Sequence, residues 1–406
     1  MLPPELWRTI LRDATYVPLL LIKEWDYDYN DRMWAGFPSQ TDDGNYKAEI
    51  LASDITKRAI VLVSRAWHQI GSEFLYEAIQ IPRNLNWTTQ LMEIMKHSAT
   101  EPKHGAHDGV GHAYGYWTKM IEWRDHSLLY SKPLGAFMAL LELCPNLQIL
   151  CISGHLLPTA LQVRLAGKLK LLFPRSLRRL EILSSIMDGE ASDRFLDAIP
   201  NIALTSLSIT CPATLNNLPL HSNFDKISTL TLHLPIRASS LPTQWHLPNL
   251  RSLTMTSISD QNGPATIEFI MRHRRTVLNL YIRPADRKLD PRPLVTAASN
   301  ARSLTVKYAT LSCLGYLAER ESSKKAGLPG ITHLGIVFEG GNNAGPFEDA
   351  LVHVLAANMF PDLVVFRLHQ TSRLKDRENW IGLRDMLQRH NIRFEDGVGN
   401  EFVSVT

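Results

Sequence analysis

From residue 144 onward one hydrophobic phrase recurs: Leu, two residues, Leu, one residue, then another apolar side chain. It reads CPNLQILCIS at 144–153, PRSLRRLEIL at 174–183, IALTSLSIT at 202–210, DKISTLTLH at 225–233 and LPNLRSLTMT at 247–256. It continues as TVLNLYIRP at 276–284, ARSLTVK at 301–307, GITHLGIVF at 330–338 and PDLVVFRLH at 361–369. The second anchors are Leu150, Leu180, Leu207, Leu230, Leu253, Leu280, Leu304, Leu334 and Phe366, spaced 23 to 32 residues apart. Alternate side chains of a strand point to opposite faces, so Leu207 with Ile209, or Leu253 with Met255, mark one buried side. Strands this short do not stand alone, which predicts parallel neighbours that bury these residues together.

Between the phrases lie segments of helical character at 157–174, 188–200, 263–275, 311–323 and 346–361. Apolar residues recur there every three or four positions, as in Leu311, Leu314 and Leu317. Pro174, Pro200 and Pro361 stand where a helix must stop and the chain turn back into a strand. The pattern therefore predicts an α/β chain of strand, turn and helix, repeated.

A period of about 20–29 residues with this core phrase is the signature of leucine-rich repeats. Residues 140–400 resemble that superfamily. The resemblance implies an irregular solenoid, with parallel strands on a concave side and helices on a convex side. The Asn or Cys that normally follows each strand is mostly missing; LTMTSIS and LEILSSI carry hydroxyls instead. Backbone groups in those turns need other partners, which predicts uneven turns. Side chains alternating with the anchors would line the concave face. They are small and hydroxylic in the middle (Ser206, Ser208, Thr229, Thr231), while the C-terminal end gathers Tyr281, Arg283, Lys307, His333, Arg367 and His369. Those six are the expected target-binding residues, and Arg283, Lys307, Arg367 and His369 among them suit an acidic or phosphorylated peptide.

The N-terminus carries a different pattern. In LPPELWRTILRDA a proline opens a helix, Glu5 suits its positive end, and Leu2, Leu6, Trp7, Ile10 and Leu11 form a wide apolar stripe. A second apolar segment, ITKRAIVLVSRAWHQIGSEFLYEAI at 55–79, has Ile60, Val63, Trp67, Ile70 and Phe74 at helical spacing, and its LYEAIQI end reads as a strand. These segments resemble the F-box, a helical module that recruits the adaptor Skp1. LPPELWRTIL matches the family's opening motif and LVSRAWHQI its second helix, in the family's order; the whole looks most like fungal F-box proteins with degenerate leucine-rich repeats. The resemblance implies Skp1 contacts at Leu2, Pro3, Leu6, Trp7, Ile10, Val63, Trp67 and Ile70. It also implies a substrate-recognition subunit of an SCF-type ubiquitin ligase, linked to a cullin through Skp1. The alternative is a repeat scaffold outside ubiquitination, with the helices serving as a cap. The expected organisation is an F-box-like domain at 1–80 with an insertion at about 19–50, a connecting segment at 81–130, and a repeat domain at 131–406. Within the connecting segment WTKMIEWRD (117–125) reads as an early irregular repeat.

Composition narrows the function classes. Lys and Arg number 43 against 40 Asp and Glu, a net charge of +3 that does not suggest a nucleic-acid partner. Four scattered cysteines make neither a disulfide scaffold nor a zinc site and fit a reducing compartment, the cytoplasm or nucleus. The apolar run VPLLLI is far shorter than the roughly 20 residues a membrane span needs, so no membrane partner is expected. Histidines at 97, 104, 107, 112 and 126 cluster loosely, without metal-site spacing. No nucleophile elbow, phosphate loop or HExxH occurs; a cofactor, a metal and an enzymatic activity are not expected.

Overall fold

The structure, a computed structural model, describes residues 3–15, 44–81, 85–100, 113–124, 131–154, 159–172, 176–184, 203–210, 224–234, 241, 245–284, 292–307, 311, 314, 328–337, 345–356, 358–369, 377–396 and 401. Helix α1 (Pro4–Thr15) comes first, with Glu5 in its first turn and Arg12 in its last, each complementing the dipole. Helices α2 (Gly44–Val63) and α3 (Arg65–Leu75) follow. The apolar spacing of 55–79 runs across their junction, yet the helix breaks at Ser64. That residue is extended, and its hydroxyl accepts the Trp67 N–H at 3.2 Å, starting α3 anew. A capping hydroxyl satisfies backbone donors that continuous apolar periodicity does not reveal. Gly71 lets α2 and α3 close up: a Cβ there would lie 2.7 Å from Ile60 Cγ2. Residues 44–50 of the expected insertion are the first turns of α2, and residues 16–43 lie outside the described ones.

The chain forms two compact units. The first holds these helices together with strands β1 (Ala78–Ile81), β2 (Met120–Arg124), β3 (Ile149–Gly154), β4 (Arg179–Ser184) and β5 (Ser206–Thr210). Helices α4 (Leu85–Thr100), α5 (Ser131–Glu142) and α6 (Thr159–Leu172) connect the earlier strands. The second unit holds β6 (Thr229–His233), β7 (Ser252–Ile258), β8 (Asn279–Pro284), β9 (Ser303–Lys307), β10 (His333–Val337), β11 (Val365–His369) and β12 (Arg393–Asp396). Its described helices are α7 (Gly263–His273), α8 (Arg292–Ala297), α9 (Gly345–Ala356) and α10 (Arg377–Arg389). The predicted helix at 188–200 lies outside the described residues, and only Leu311 and Leu314 represent the one at 311–323; both are buried.

Within each unit every strand pairs in parallel with the next strand of the sequence. The architecture is thus α/β, with parallel strands in chain order, compatible with a solenoid. The anchors occupy one register line. In the first unit Ile79, Ile121, Leu150, Leu180 and Leu207 are successive partners. In the second the line runs Leu230, Leu253, Leu280, Leu304, Leu334, Phe366 and Phe394. All are buried, as are residues two positions on, from Trp123 and Ile152 to Met255 and Leu368. The entry to each strand is also repeated: one carbonyl accepts two successive N–H groups of the next repeat. Gln148 O takes Arg178 and Arg179, and Arg251 O takes Leu278 and Asn279.

One turn recovers the missing asparagine by another route. Ser257 (φ 60°) kinks β7 where its register with β8 shifts. Buried Asn262 then accepts the Ser259 N–H at 2.7 Å and donates to the Ser257 carbonyl at 3.3 Å. The amide that satisfies this turn comes after the strand, so the repeat phrase does not show it.

Candidate functional site

The helical segment has its own small core. Leu11, Ile60 and Phe74 are buried, with Trp67 and Ile70 packed against them. Trp67 and Ile70, expected to face a partner, are therefore committed in part to this core; they are partly covered because α1 lies over α3. Ion pairs surround the core: Arg8 to Glu73 at 3.9 Å, Arg12 to Glu77 at 3.4 Å, and Lys119 to Glu77 at 2.5 Å. The Arg12 guanidinium also lies over the Phe74 ring, 4.9 Å from its centre. Lys57 is buried, and desolvation lowers its pKa against the pull of Asp54 and Glu77; desolvation raises that of Glu73.

The opposite sides of these helices remain apolar and uncovered. On α1, Leu6 is 50% and Ile10 46% exposed, one turn apart. On α2, Ile55, Leu62 and Val63 are 60%, 83% and 61% exposed. Ile55 and Leu62 are two turns apart and project away from the face that buries Ser53, Lys57 and Ile60. A helix apolar on both faces is built to be covered twice. Exposed Arg58, Arg65 and His68 border this stretch. Of the expected adaptor contacts, Pro3 is exposed, Trp7 half-buried, and Leu2 lies outside the described residues. Ile55 and Leu62 were not among those expected, although the stretch ILASDITKRAIVLV signals an apolar second face.

The second expected site lies on the strand side chains pointing away from the core. Cross-strand partners there are Thr254, Tyr281 and Thr305, then Gly335 and Arg367. Tyr281, Arg283 and His333 are partly exposed. Lys307 and His369 occupy the last positions of β9 and β11, paired by register with Val337 between them. The structure corrects Arg367. It is 4% exposed, and its guanidinium donates to the Glu395 carboxylate at 2.6 and 3.2 Å. A desolvated guanidinium demands a counter-charge, and β12 supplies one, so Arg367 is part of the wall and no anion grip. Ser206, Ser208, Thr229 and Thr231 are buried as well, because small hydroxyls between strands about 4.8 Å apart are shaded by their neighbours.

Among the described residues, no group of three or more His, Cys, Asp or Glu is arranged to hold a metal ion, and no helix is long and apolar enough to cross a membrane. Of the loose histidine cluster, His97 lies on α4, while His104, His107, His112 and His126 lie outside the described residues. No protein-family profile matches the chain, and no curated protein matches it significantly.

Proposed function

We propose that the chain is the substrate-recognition subunit of an SCF-type ubiquitin ligase, an F-box protein with degenerate leucine-rich repeats. Leu6, Ile10, Leu62 and Val63 dock a Skp1-like adaptor, and through it a cullin. The strand face around Tyr281, Arg283, Lys307, His333 and His369 presents a target protein. In this reading the chain positions its partners and makes no bonds itself.

The observation that carries the reading is the doubly apolar α2, with Ile55 and Leu62 exposed opposite the Ile60 face. Complete burial of such a side chain contributes about 1.5–3 kcal/mol, so covering the two stripes is a substantial driving force. Contiguous exposed apolar surface on a folded chain is the usual mark of a partner site. The basic border of Arg58 and Arg65 favours a partner with an acidic rim, as charge complementarity does at interfaces generally. Co-purification with Skp1 is the test. Leu6→Asp combined with Leu62→Asp should abolish capture while leaving the fold intact; undiminished capture would exclude the docking assignment.

The scaffold reading draws on the direct run of α3 through Tyr76 and Glu77 into β1, with Glu77 bonded to the lead-in of β2, where a repeat array needs a cap. A chain that folds normally and ignores Skp1, while still retaining other protein partners, would favour it.

A further inference from the structure

The junction between the docking helices and the sheet is organised around one side chain, Glu77, set between the end of α3 and the start of β1. Its carbonyl accepts the N–H groups of Lys119 and Met120, at 2.8 and 3.1 Å. This is the same two-on-one contact that Lys119, Gln148 and Arg178 make further along the sheet, so Glu77 supplies its first rung. Its side chain is buried as well. The carboxylate takes Arg12 from α1 and Lys119 from the lead-in to β2, while buried Lys57 of α2 lies within its field. Cations from two docking helices and from the sheet therefore converge on a single anion. Tyr76, its neighbour, stacks on Tyr114 at 4.4 Å and 9°, closing the other side of the joint.

We propose that Glu77 is a positioning residue that locks the docking helices to the first strands, fixing the direction in which the sheet leaves a bound adaptor. The proposal rests on the docking reading for its purpose, though not for its geometry. Neutralising Glu77 removes the one carboxylate that Arg12 and Lys119 both contact. Lys57 keeps Asp54 at 3.9 Å and Glu73 stays nearby, so the change loosens chiefly the tie between α1 and the strand pair. The exposed stripes that dock the adaptor, Leu6, Ile10, Leu62 and Val63, keep their own side chains in this variant. Docking and direction thereby become separable.

The test uses the full chain with paired spin labels at Thr9→Cys on α1 and Leu171→Cys on α6, in a background carrying Cys211→Ser and Cys313→Ser; the remaining thiols, Cys144 and Cys151, are buried. In Glu77→Gln the label-to-label distance distribution should widen measurably beyond that of the parent chain, as expected when Arg12 and Lys119 lose the carboxylate they share, while Skp1 capture stays within the error of the parent chain. Should Glu77→Gln fail to fold, Lys119→Met removes one cation and leaves the others paired; it should give a smaller widening. Ile152→Val, which trims the core of β3 without touching the joint, serves as the stability control and should leave the distribution unchanged. An unchanged distribution in the joint variants, or equal widening in Ile152→Val, overturns the proposal. If the parent chain itself fails to capture Skp1, the docking reading falls, whereas a widened distribution still supports the lock.

Discussion

Trp7 of α1 and Trp67 of α3 meet with ring centres 5.0 Å apart and planes inclined by 54°. This tilted pair, with buried Leu11, fastens α1 over α3. Tilted aromatic pairs contribute about 0.5–1.5 kcal/mol beyond the area they bury. Trp67→Ala should therefore lower stability by about 2–3 kcal/mol, below the 3–5 typical of a fully buried Trp because the ring is half covered. Urea unfolding measures the loss. On the docking proposal, Skp1 capture should fall as well, since α1 loses its seat even though Leu6 and Ile10 are intact.

Arg367 and Glu395 form a buried ion pair between β11 and β12. Arg367→Ala should destabilise the fold by about 1–3 kcal/mol, because the buried carboxylate keeps only the more distant and largely exposed Arg393, 3.7 Å away. Arg367→Met with Glu395→Leu should recover most of that loss, since two apolar groups need no counter-charge. Chemical denaturation of the parent, single and double variants checks both expectations.

Gly115 sits where the chain passes against the end of α5. A Cβ there would lie 2.0 Å from the Leu143 carbonyl oxygen, a backbone atom that has little room to retreat. Gly115→Ala should cost about 2–3 kcal/mol, in the upper range for overpacking, and be seen as a lowered melting temperature. Gly135 has no heavy atom within 4 Å of the same added carbon, so Gly135→Ala on α5 should be neutral or slightly stabilising.

His273, at the end of α7, is buried beside the Phe269 ring, and its Nε2 has no hydrogen-bond partner. Burial, helped by Arg272 and His246, lowers its pKa to about 4 from the usual 6.5. The unfolded chain therefore binds a proton below pH 6.5 that the folded chain refuses until about pH 4. Stability is highest above pH 6.5 and declines as the pH falls toward 4, by on the order of 3 kcal/mol in all. His273→Phe should flatten that part of the stability–pH curve, as followed by thermal unfolding at pH 7 and pH 4.5.

Much of the fold was legible because burial repeats. Each anchor from Leu150 to Phe366 reached the register line that its phrase foretold, and WTKMIEWRD and LYEAIQI became β2 and β1. β12 escaped notice: its anchor Phe394 stands in RFED, where charged neighbours hide the phrase. The site was less legible, for two physical reasons. Partner choice among charges depends on distance, so the engagement of Arg367 by Glu395, 28 residues later, leaves no local trace. Exposure depends on which helix face the core takes, so the outward side of α2 at Ile55 and Leu62 showed itself only once Ile60 and Phe74 had packed together.

The shared register line has a consequence for how such a chain tolerates change. Anchors separated by 23 residues and by 32 meet their neighbours equally well, so surplus length is discharged into the connections and never into the ladder. An insertion at the exposed Ser299–Asn300 turn between α8 and β9 should pass with little penalty, because closing a longer loop costs only fractions of a kcal/mol. One residue added inside Ser303–Lys307 is another matter: it would turn Val306 outward and a polar neighbour inward. Lineages of this protein should therefore drift freely in loop length while keeping the parity of their strands.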